Sequence, residues 1–594
     1  LVGVIGWYYL WAVRSTGHGF EWDREHFGYY NYLGRAFASG SLWLPIEPAP
    51  QLLAAANPWD PATNNEYKMH DMAFYKGRYF LYHGAAPAVL LFAPYRVLRG
   101  RDLPEHFALL LFCLGGFLFS AAALLRWFDL AGVRVGLGMR IVAVFAAGLC
   151  QGVPFLLSRV WVYEIAIGCG YFCVWAGLYL FLRGEGSRRA AAWRAAAGTL
   201  FGLAIASRPH LGLVGAAFAL ALLARKAERR TLLAYCAPLV GVGALIGLYN
   251  LLRFGTPLEF GTSYLLAGAN QNRIVLSVAN VAPGLYYFLF CAPEFEPVFP
   301  WVRIVTRYPF DLVSYSFPPQ YFVESIVGGF YLAPFAAACV WISRGAAEAA
   351  RHALWAMVAA SAGVLLFLSA TGFTAQRYEL DFLPLALFAG LANLMVLAER
   401  RTGWRRMALR AAVTAAVVFG ATVNLAMGIG GLYDEMQTEK PQRYLRLARR
   451  FTRDERLMPL LNPAIDVAFA ARFRGGQDGV NEPLFSMGRR ACRYFLSASH
   501  SGGRIRLVSR NQKSSAEYEL GEAPAADVEV RVRYDAASGT VTVALDGRPA
   551  ITHEIGPMMT APVEVRVGEA PRDDSLSTLR FTGRIDRPQV RIGP

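Results

Sequence analysis

The sequence predicts a polytopic α-helical membrane protein with a C-terminal all-β domain. Three observations carry that prediction. Of the 594 residues, 55% are hydrophobic and only 17% are charged, which is not a soluble composition. The apolar residues come in runs near the ~20 residues needed to cross ~30 Å of hydrocarbon. Beyond residue 485 the pattern changes to an alternation of period two, the mark of strands.

About eleven spans are expected, at 1–13, 105–125, 139–157, 163–182, 194–206, 208–224, 232–252, 322–343, 353–371, 378–398 and 407–431. The run 277–292 is interrupted by Pro283 and Gly284 and reads as re-entrant or interfacial. Only thirteen residues precede Arg14, about 20 Å of helix. That is too short to cross, so residues before Leu1 are expected. The connections 126–140, 183–194, 225–231, 344–352 and 399–410 hold eighteen Lys and Arg residues. Positive residues stay in the cytoplasm, so the N-terminus is placed inside. The insert 15–104, the loop 253–321 and everything after about 432 are then extracytoplasmic. This distribution and anionic lipid heads explain the net charge of +16, so no nucleic-acid partner is implied. The eight cysteines give no disulfide framework.

The insert 15–104 is long for a loop between spans, and long loops are usually functional or disordered. It is too aromatic to be disordered. It opens on Glu21, Asp23 and Glu25 and continues through Lys68, His70, Asp71, Arg78 and Tyr82. Its second half, 83–100, carries Pro87 and Pro94 and reads as an interfacial helix. Its histidines lack metal-ligand spacing. The chain has no Walker loop, no G-x-G-x-x-G after a strand and no G-x-S-x-G, so nucleotide binding and hydrolase chemistry have no signal.

Ionisable residues at a membrane are costly and ask for a reason. Asp23, Glu164 and Asp381 fall near the expected outer surface. One carboxylate there would serve as general base for an acceptor hydroxyl, and a second would orient it or hold a cation. Bland readings stand beside these: a solvated loop acid for Asp23, a helix-dipole charge for Glu164, a local partner of Arg377 for Asp381. Arg159, Arg208, Arg253 and Arg377 come from separate outer segments, with His210 and Tyr378 beside them. Each arginine alone reads equally as a snorkelling anchor. Together they suit a phosphate, which Arg grips with a planar fork.

In the tail, Val528 to Tyr534 and Thr540 to Leu545 form a hairpin, with further strands at 504–509, 517–520, 549–554, 563–567, 578–584 and 588–592. So many short strands predict a sandwich or jelly roll over 485–594. The segment 432–484 is read as a connector, with an amphipathic helix at 444–456.

The phrases DREHFGYYNYLGRAFASGSLWL, NPWDPATNN, YKGRYFLYHGAAPAVLLFAPYRVL, SRP, RFGTPLEFG and QRYELDFLP, over residues 1–431, resemble a bacterial branch of the GT-C superfamily of integral-membrane glycosyltransferases. That group includes protein O-mannosyltransferases, oligosaccharyltransferases and mycobacterial arabinosyltransferases. The tail phrase VRVRYDAASGTVTVALDGRPAITHEI resembles the central hairpin of concanavalin-A-like and laminin-G-like jelly rolls, many of which bind carbohydrate. The resemblance implies an inverting transfer from a polyprenyl-phosphate sugar to an envelope glycan, lipid or protein, outside the bacterial inner membrane. It implies Asp23 as base, with Glu21 and Glu25 as alternatives, and Glu164 as the second acid. A divalent cation (Mg, Mn or Ca) held by Asp23 and Glu164 is the cofactor it allows. Arg208, His210, Arg253, Arg377 and Lys68 are the expected donor-phosphate ligands. Two other classes compete with this reading. A flippase of lipid-linked glycans lacks support, because no inverted repeat of broken helices is visible. A non-catalytic lectin would need only one span.

Overall fold

The computed structural model describes every residue except 18, 268–275, 305–317, 319–320, 342–345, 453, 455, 458–460, 475–476, 489–492, 512–513, 558–563, 571–575 and 594. His18, Arg344 and Cys492 lie outside the described residues. The chain divides into two compact units. One comprises Leu1–Glu294 and Arg303–Ile429, the other Phe295–Val302 and Gly430–Pro594.

The first unit is helical. Among the described residues, eight helices are long and apolar enough to cross a membrane. Val2–Val13 and Pro209–Ala224, both expected as spans, are apolar helices below that length. Helix packing relies on small residues that let backbones approach. A Cβ on Gly198 would lie 2.1 Å from the Tyr235 carbonyl, so Ala190–Ser207 and Arg229–Phe254 close tightly. The far side of Arg229–Phe254 exposes Leu233, Val240, Leu245, Leu248 and Leu252. An apolar surface of that extent is what a helix facing lipid presents.

One expected span is corrected. The described residues of 322–343 do not form a long helix. Phe322–Val323 is a strand paired with Phe373–Thr374, Gly329–Leu332 is a single helical turn, and Pro334–Val340 is a 3-10 helix. Apolar composition alone did not reveal the break. Its physical basis lies in the neighbours. The Asn424 amide donates to the Leu332 carbonyl at 3.2 Å, and Asn393 donates to Ala338 O at 3.0 Å. Buried side-chain amides thus satisfy carbonyls that a continuous helix would bond internally. The segment expected as re-entrant is the short helix Val281–Phe290, begun by a 3-10 turn at Val278–Asn280.

The insert is ordered, as its aromatics predicted. Met72–Tyr75 and Arg78–Phe80 form a hairpin. Its turn residues Lys76 and Gly77 have φ of 47° and 72°, the two positive values that a type I′ turn requires. Leu265–Leu266 adds a third strand beside Met72–Ala73, so the two large loops share one sheet. The stretch 83–100 is a π-helical turn Ala88–Phe92 continued by the helix Ala93–Arg99. Asp102 ties the insert together. It accepts from the His26 amide at 3.0 Å, and from Arg35 and Arg96.

The second unit is a β sandwich of two five-stranded antiparallel sheets sharing one apolar core. It begins earlier than residue 485. Ala464–Arg472 and the first half of Asn481–Met487, placed in the connector by the sequence reading, belong to strands of the two sheets. Ala464–Arg472 buries every second residue, but as AIDVAFAAR it places small residues between, which hides the alternation. The last strand is a single run, Arg584–Gly593, rather than two. The amphipathic helix is Pro441–Phe451. It buries Tyr444, Leu445 and Ala448, and its Tyr444 hydroxyl donates to Phe299 O at 3.0 Å.

Candidate functional site

The helix Val162–Arg183 orients the first unit. Glu164 lies in its first turn and Arg183 in its last, roughly 28 Å apart at 1.5 Å per residue. At the Arg183 end, Glu185 binds Arg194 and Arg225, the latter through contacts of 2.6 and 3.1 Å. Basic residues are held there by acids and backbone. At the Glu164 end the chain gathers charge from five separate segments.

Asp381 is the hinge of that cluster. Its Oδ2 lies 2.8 Å from Arg208 Nε and 2.9 Å from His210 Nε2. The expected local pairing of Asp381 with Arg377 does not form. Arg377 instead reaches Glu324 at 2.5 Å and lies over the rings of Tyr163 and Tyr378, at 4.8 and 5.3 Å. Arg208 lies over the same Tyr378 ring at 4.8 Å. Burial works against the charge on Arg377, but Glu324, Tyr378 and Glu164 outweigh it and raise its pKa. Glu164 is 3% exposed and within electrostatic reach of Arg377, Arg159 and Glu324. Its Oε2 is buried without a hydrogen-bond partner among the described residues.

Asp71 comes to this cluster from the insert. It is 6% exposed and held at φ 56°, and its amide donates to Leu266 O at 2.9 Å. A non-glycine residue in left-handed backbone is uncommon, and such positions concentrate at functional sites. Burial raises the Asp71 carboxyl above its ordinary value, while His70, Arg377 and Lys68 partly offset the rise. His70 Nε2 stands 3.5 Å from Asp71 Oδ2. Lys68 donates to Ala267 O at 3.3 Å. Tyr82 is within electrostatic reach of Asp71, Tyr378, Arg377 and Arg208.

The structure therefore brings together Lys68, His70, Asp71, Tyr82, Arg159, Glu164, Arg208, His210, Arg377, Tyr378 and Asp381. It does not bring the first three acids there. The Asp23 side chain is 88% exposed and pairs with Arg101 at 2.5 Å. Glu21 pairs with Arg24 at 2.7 Å, and Glu25 is exposed. Trp22 between them packs edge-on against Phe107 at 4.8 Å, so the tryptophan is the anchor and the acids are solvated. Arg78 is exposed and lies 3.6 Å over Trp43. Arg253 is buried and committed to structure. It donates to Leu81 O and Asn250 Oδ1, both at 2.7 Å, pinning the insert to the helix Arg229–Phe254.

A cation bridging Asp23 and Glu164 does not fit these surroundings. One acid is in solvent on Arg101, and the other faces Arg377 and Arg159 inside the protein, where a cation is repelled. Among the described residues no group of three His, Cys, Asp or Glu side chains is placed to hold a metal.

Two residues of the cluster were missed by sequence reasoning. Glu324 was hidden inside an expected span, where an acid two residues from the start was itself a signal. His83 follows Tyr82 and lies tilted against its ring at 4.0 Å, with Tyr163 edge-on at 5.2 Å. Burial, then Arg208 and Arg377, push its pKa down to about 3, so it is neutral. Its buried Nε2 has no partner among the described residues. Next to it, Gly84 allows contact with the end of Ala190–Ser207, since a Cβ there would lie 2.1 Å from Ala206 O.

No family model matches the chain, and no curated protein does. Among solved structures with slight likeness are the following three. The archaeal oligosaccharyltransferase AglB from Archaeoglobus fulgidus, in complex with an inhibitory peptide and a dolichol-phosphate, is 14% identical. It covers 72% of this chain and 55% of its own, with a TM-score of 0.37. The CBM40 domain of the Ruminococcus gnavus IT-sialidase, bound to α2,3- or α2,6-sialyllactose, is 16% or 15% identical. Each covers 22% of this chain and 76% of its own, with TM-scores of 0.17 and 0.16. Likenesses this slight assign neither fold nor activity.

Proposed function

We propose that this chain is a membrane glycosyltransferase. It moves a sugar from a polyprenyl-phosphate donor to a glycan, lipid or protein acceptor, with inversion. The observation that carries this reading is the convergence of Asp71, Glu164, Arg208, Glu324, Arg377 and Asp381 at one end of a membrane-length helix. Phosphate on a lipid lies at that depth, and paired arginines are suited to it. Arg208 and Arg377 each spend one edge of the guanidinium on an acid, and each has five N–H donors in all. The remaining donors would hold the donor phosphate in this reading.

The base in this reading is Asp71 rather than Asp23. A base works best with a pKa lifted toward the operating pH. Burial lifts that of Asp71, whereas Asp23 is in solvent on Arg101. The acceptor oxygen attacks the anomeric carbon and loses its proton to Asp71. The bond from that carbon to the phosphate oxygen breaks, and the phosphate leaves with the electron pair. Arg208 and Arg377 stabilise the charge that develops. Glu164, Glu324 and Asp381 orient the guanidinium groups. The basic loops around Glu185 and Glu399 would face the cytoplasm, and the site the opposite side.

The test uses the full chain in nanodiscs with a panel of labelled polyprenyl-phosphate sugars, reading free polyprenyl phosphate and new glycosidic bonds. Lipid crossing the bilayer of sealed proteoliposomes without a new bond would mean a flippase and end the proposal.

A further inference from the structure

The β sandwich carries a groove that the membrane site does not explain. It measures about 390 Å³, within the range of small-molecule sites. Strand alternation builds it. In Arg504–Arg510, residues Ile505, Leu507 and Ser509 are buried, while Arg506, Val508 and Arg510 face away from the core and line the groove. Arg506 lies opposite Glu519, and Val508 opposite Glu517.

The two arginines differ. Arg506 is paired with both Glu517 at 3.0 Å and Glu519 at 3.3 Å, a cluster with one net negative charge that the charge of Arg510 has to offset. Arg510 has no ion pair or side-chain hydrogen bond among the described residues, so a full positive charge stands in the groove. Around it are Asn511, Ser514 and Ser515, with Ser499 and Asn481 further along. None of the lining residues is aromatic, so recognition there rests on charge and hydrogen bonds.

A second observation shows that the wall is held in place. The Tyr494 hydroxyl meets Ser509 Oγ at 2.8 Å, and Ser509 meets His553 Nδ1 at 2.8 Å. His553 Nε2 meets Ser514 Oγ at 2.8 Å, and Ser514 donates to Asn511 Oδ1 at 3.1 Å. A chain of hydrogen bonds thus runs from the core to the groove and fixes Ser514 and Asn511 beside Arg510. Preorganised polar groups lower the cost of binding.

We infer that this groove binds a glycan bearing a carboxylate, with the carboxylate on Arg510 and sugar hydroxyls on Ser499, Ser514 and Asn511. The inference does not rest on the transfer reaction, and binding is read without it. The full chain in nanodiscs is titrated with glucuronic, galacturonic and N-acetylneuraminic acids. Their neutral counterparts are glucose, galactose and the methyl ester of N-acetylneuraminic acid, and sulfate serves as a small-anion control. The expected result is that at least one acid binds more tightly than its neutral counterpart. Arg510→Ala should then weaken it about tenfold or more, the scale of a charge-assisted pair, with an unchanged melting profile. Arg510→Lys should restore part of the affinity. Equal binding of acid and neutral sugars, or an unaffected Arg510→Ala, overturns the inference. So does sulfate competing as well as the sugar acid, which would reveal a site for small anions only.

Discussion

Replacing Asp71 with Asn removes the proposed base and keeps the shape. The two side chains are nearly isosteric, and Asn tolerates the left-handed φ of 56° as Asp does. General-base catalysis contributes about 10²–10⁴-fold, or about 2.7–5.4 kcal/mol of activation free energy. The loss should fall on kcat, because the proton moves only in the transition state. Stability should move the other way. The Asp71 carboxyl is raised by burial, so the folded chain binds this proton more tightly than the unfolded chain. The destabilising cost is absent below the unfolded pKa and complete above the folded one, so stability falls as pH rises through that window. Asn carries no such cost, and the variant at neutral pH should be at least as stable as the parent. The assay is single-turnover transfer in nanodiscs across pH 4 to 9, with thermal unfolding in parallel. The parent rate should climb with pH through the raised pKa of Asp71 and then level, while the variant stays low and flat. Full transfer by Asp71→Asn refutes the assignment, and loss of activity with a lowered melting point refutes it equally. Asp23→Asn is the control. Its exposed ion pair contributes little, and transfer should be unchanged.

Arg377→Ala leaves Glu324 and Glu164 buried without their guanidinium, which should destabilise the chain by about 3–5 kcal/mol, read by denaturation in detergent. Arg377→Lys keeps the charge but loses the planar fork, so transfer should fall further than stability. Gly84→Ala drives a methyl into the Ala206 and Ser207 carbonyls. It should cost about 1–3 kcal/mol and loosen the insert, visible as faster amide exchange at Tyr82 and His83. Asn424→Leu strips partners from the Gly152 amide and the Leu332 carbonyl. A loss of about 1–3 kcal/mol is expected, while an unchanged melting point would show that the broken segment is held by other contacts.

Much of the membrane unit was legible because length and polarity are properties of single segments. Runs such as 105–125 and 163–182 had to cross or be buried. The strands at 528–534 and 540–545 were legible for the same reason, since alternation is local. Ala464–Arg472 was not, because alanines at the intervening positions blur the period. The broken segment 322–343 was not, because its carbonyls are satisfied by Asn424 and Asn393, remote in sequence.

The candidate site divides along the same line. Residue type by itself nominated Arg208, His210, Arg377, Asp381, Glu164 and Asp71, since ionisable groups beside apolar runs are costly and seldom idle. Which of them meet was a tertiary decision. Asp381 lies four residues from Arg377 yet takes Arg208 and His210, and Glu324 takes Arg377 from 53 positions away. The family resemblance pointed to the insert's first acids. Packing of Trp22 turned them to solvent, and the hairpin starting at Met72 carried Asp71 inward instead. Composition and periodicity act along the chain, so the sequence determined the membrane character, the β tail and the pool of charged candidates. Coulomb attraction and burial act across it, so only the folded chain selected among them.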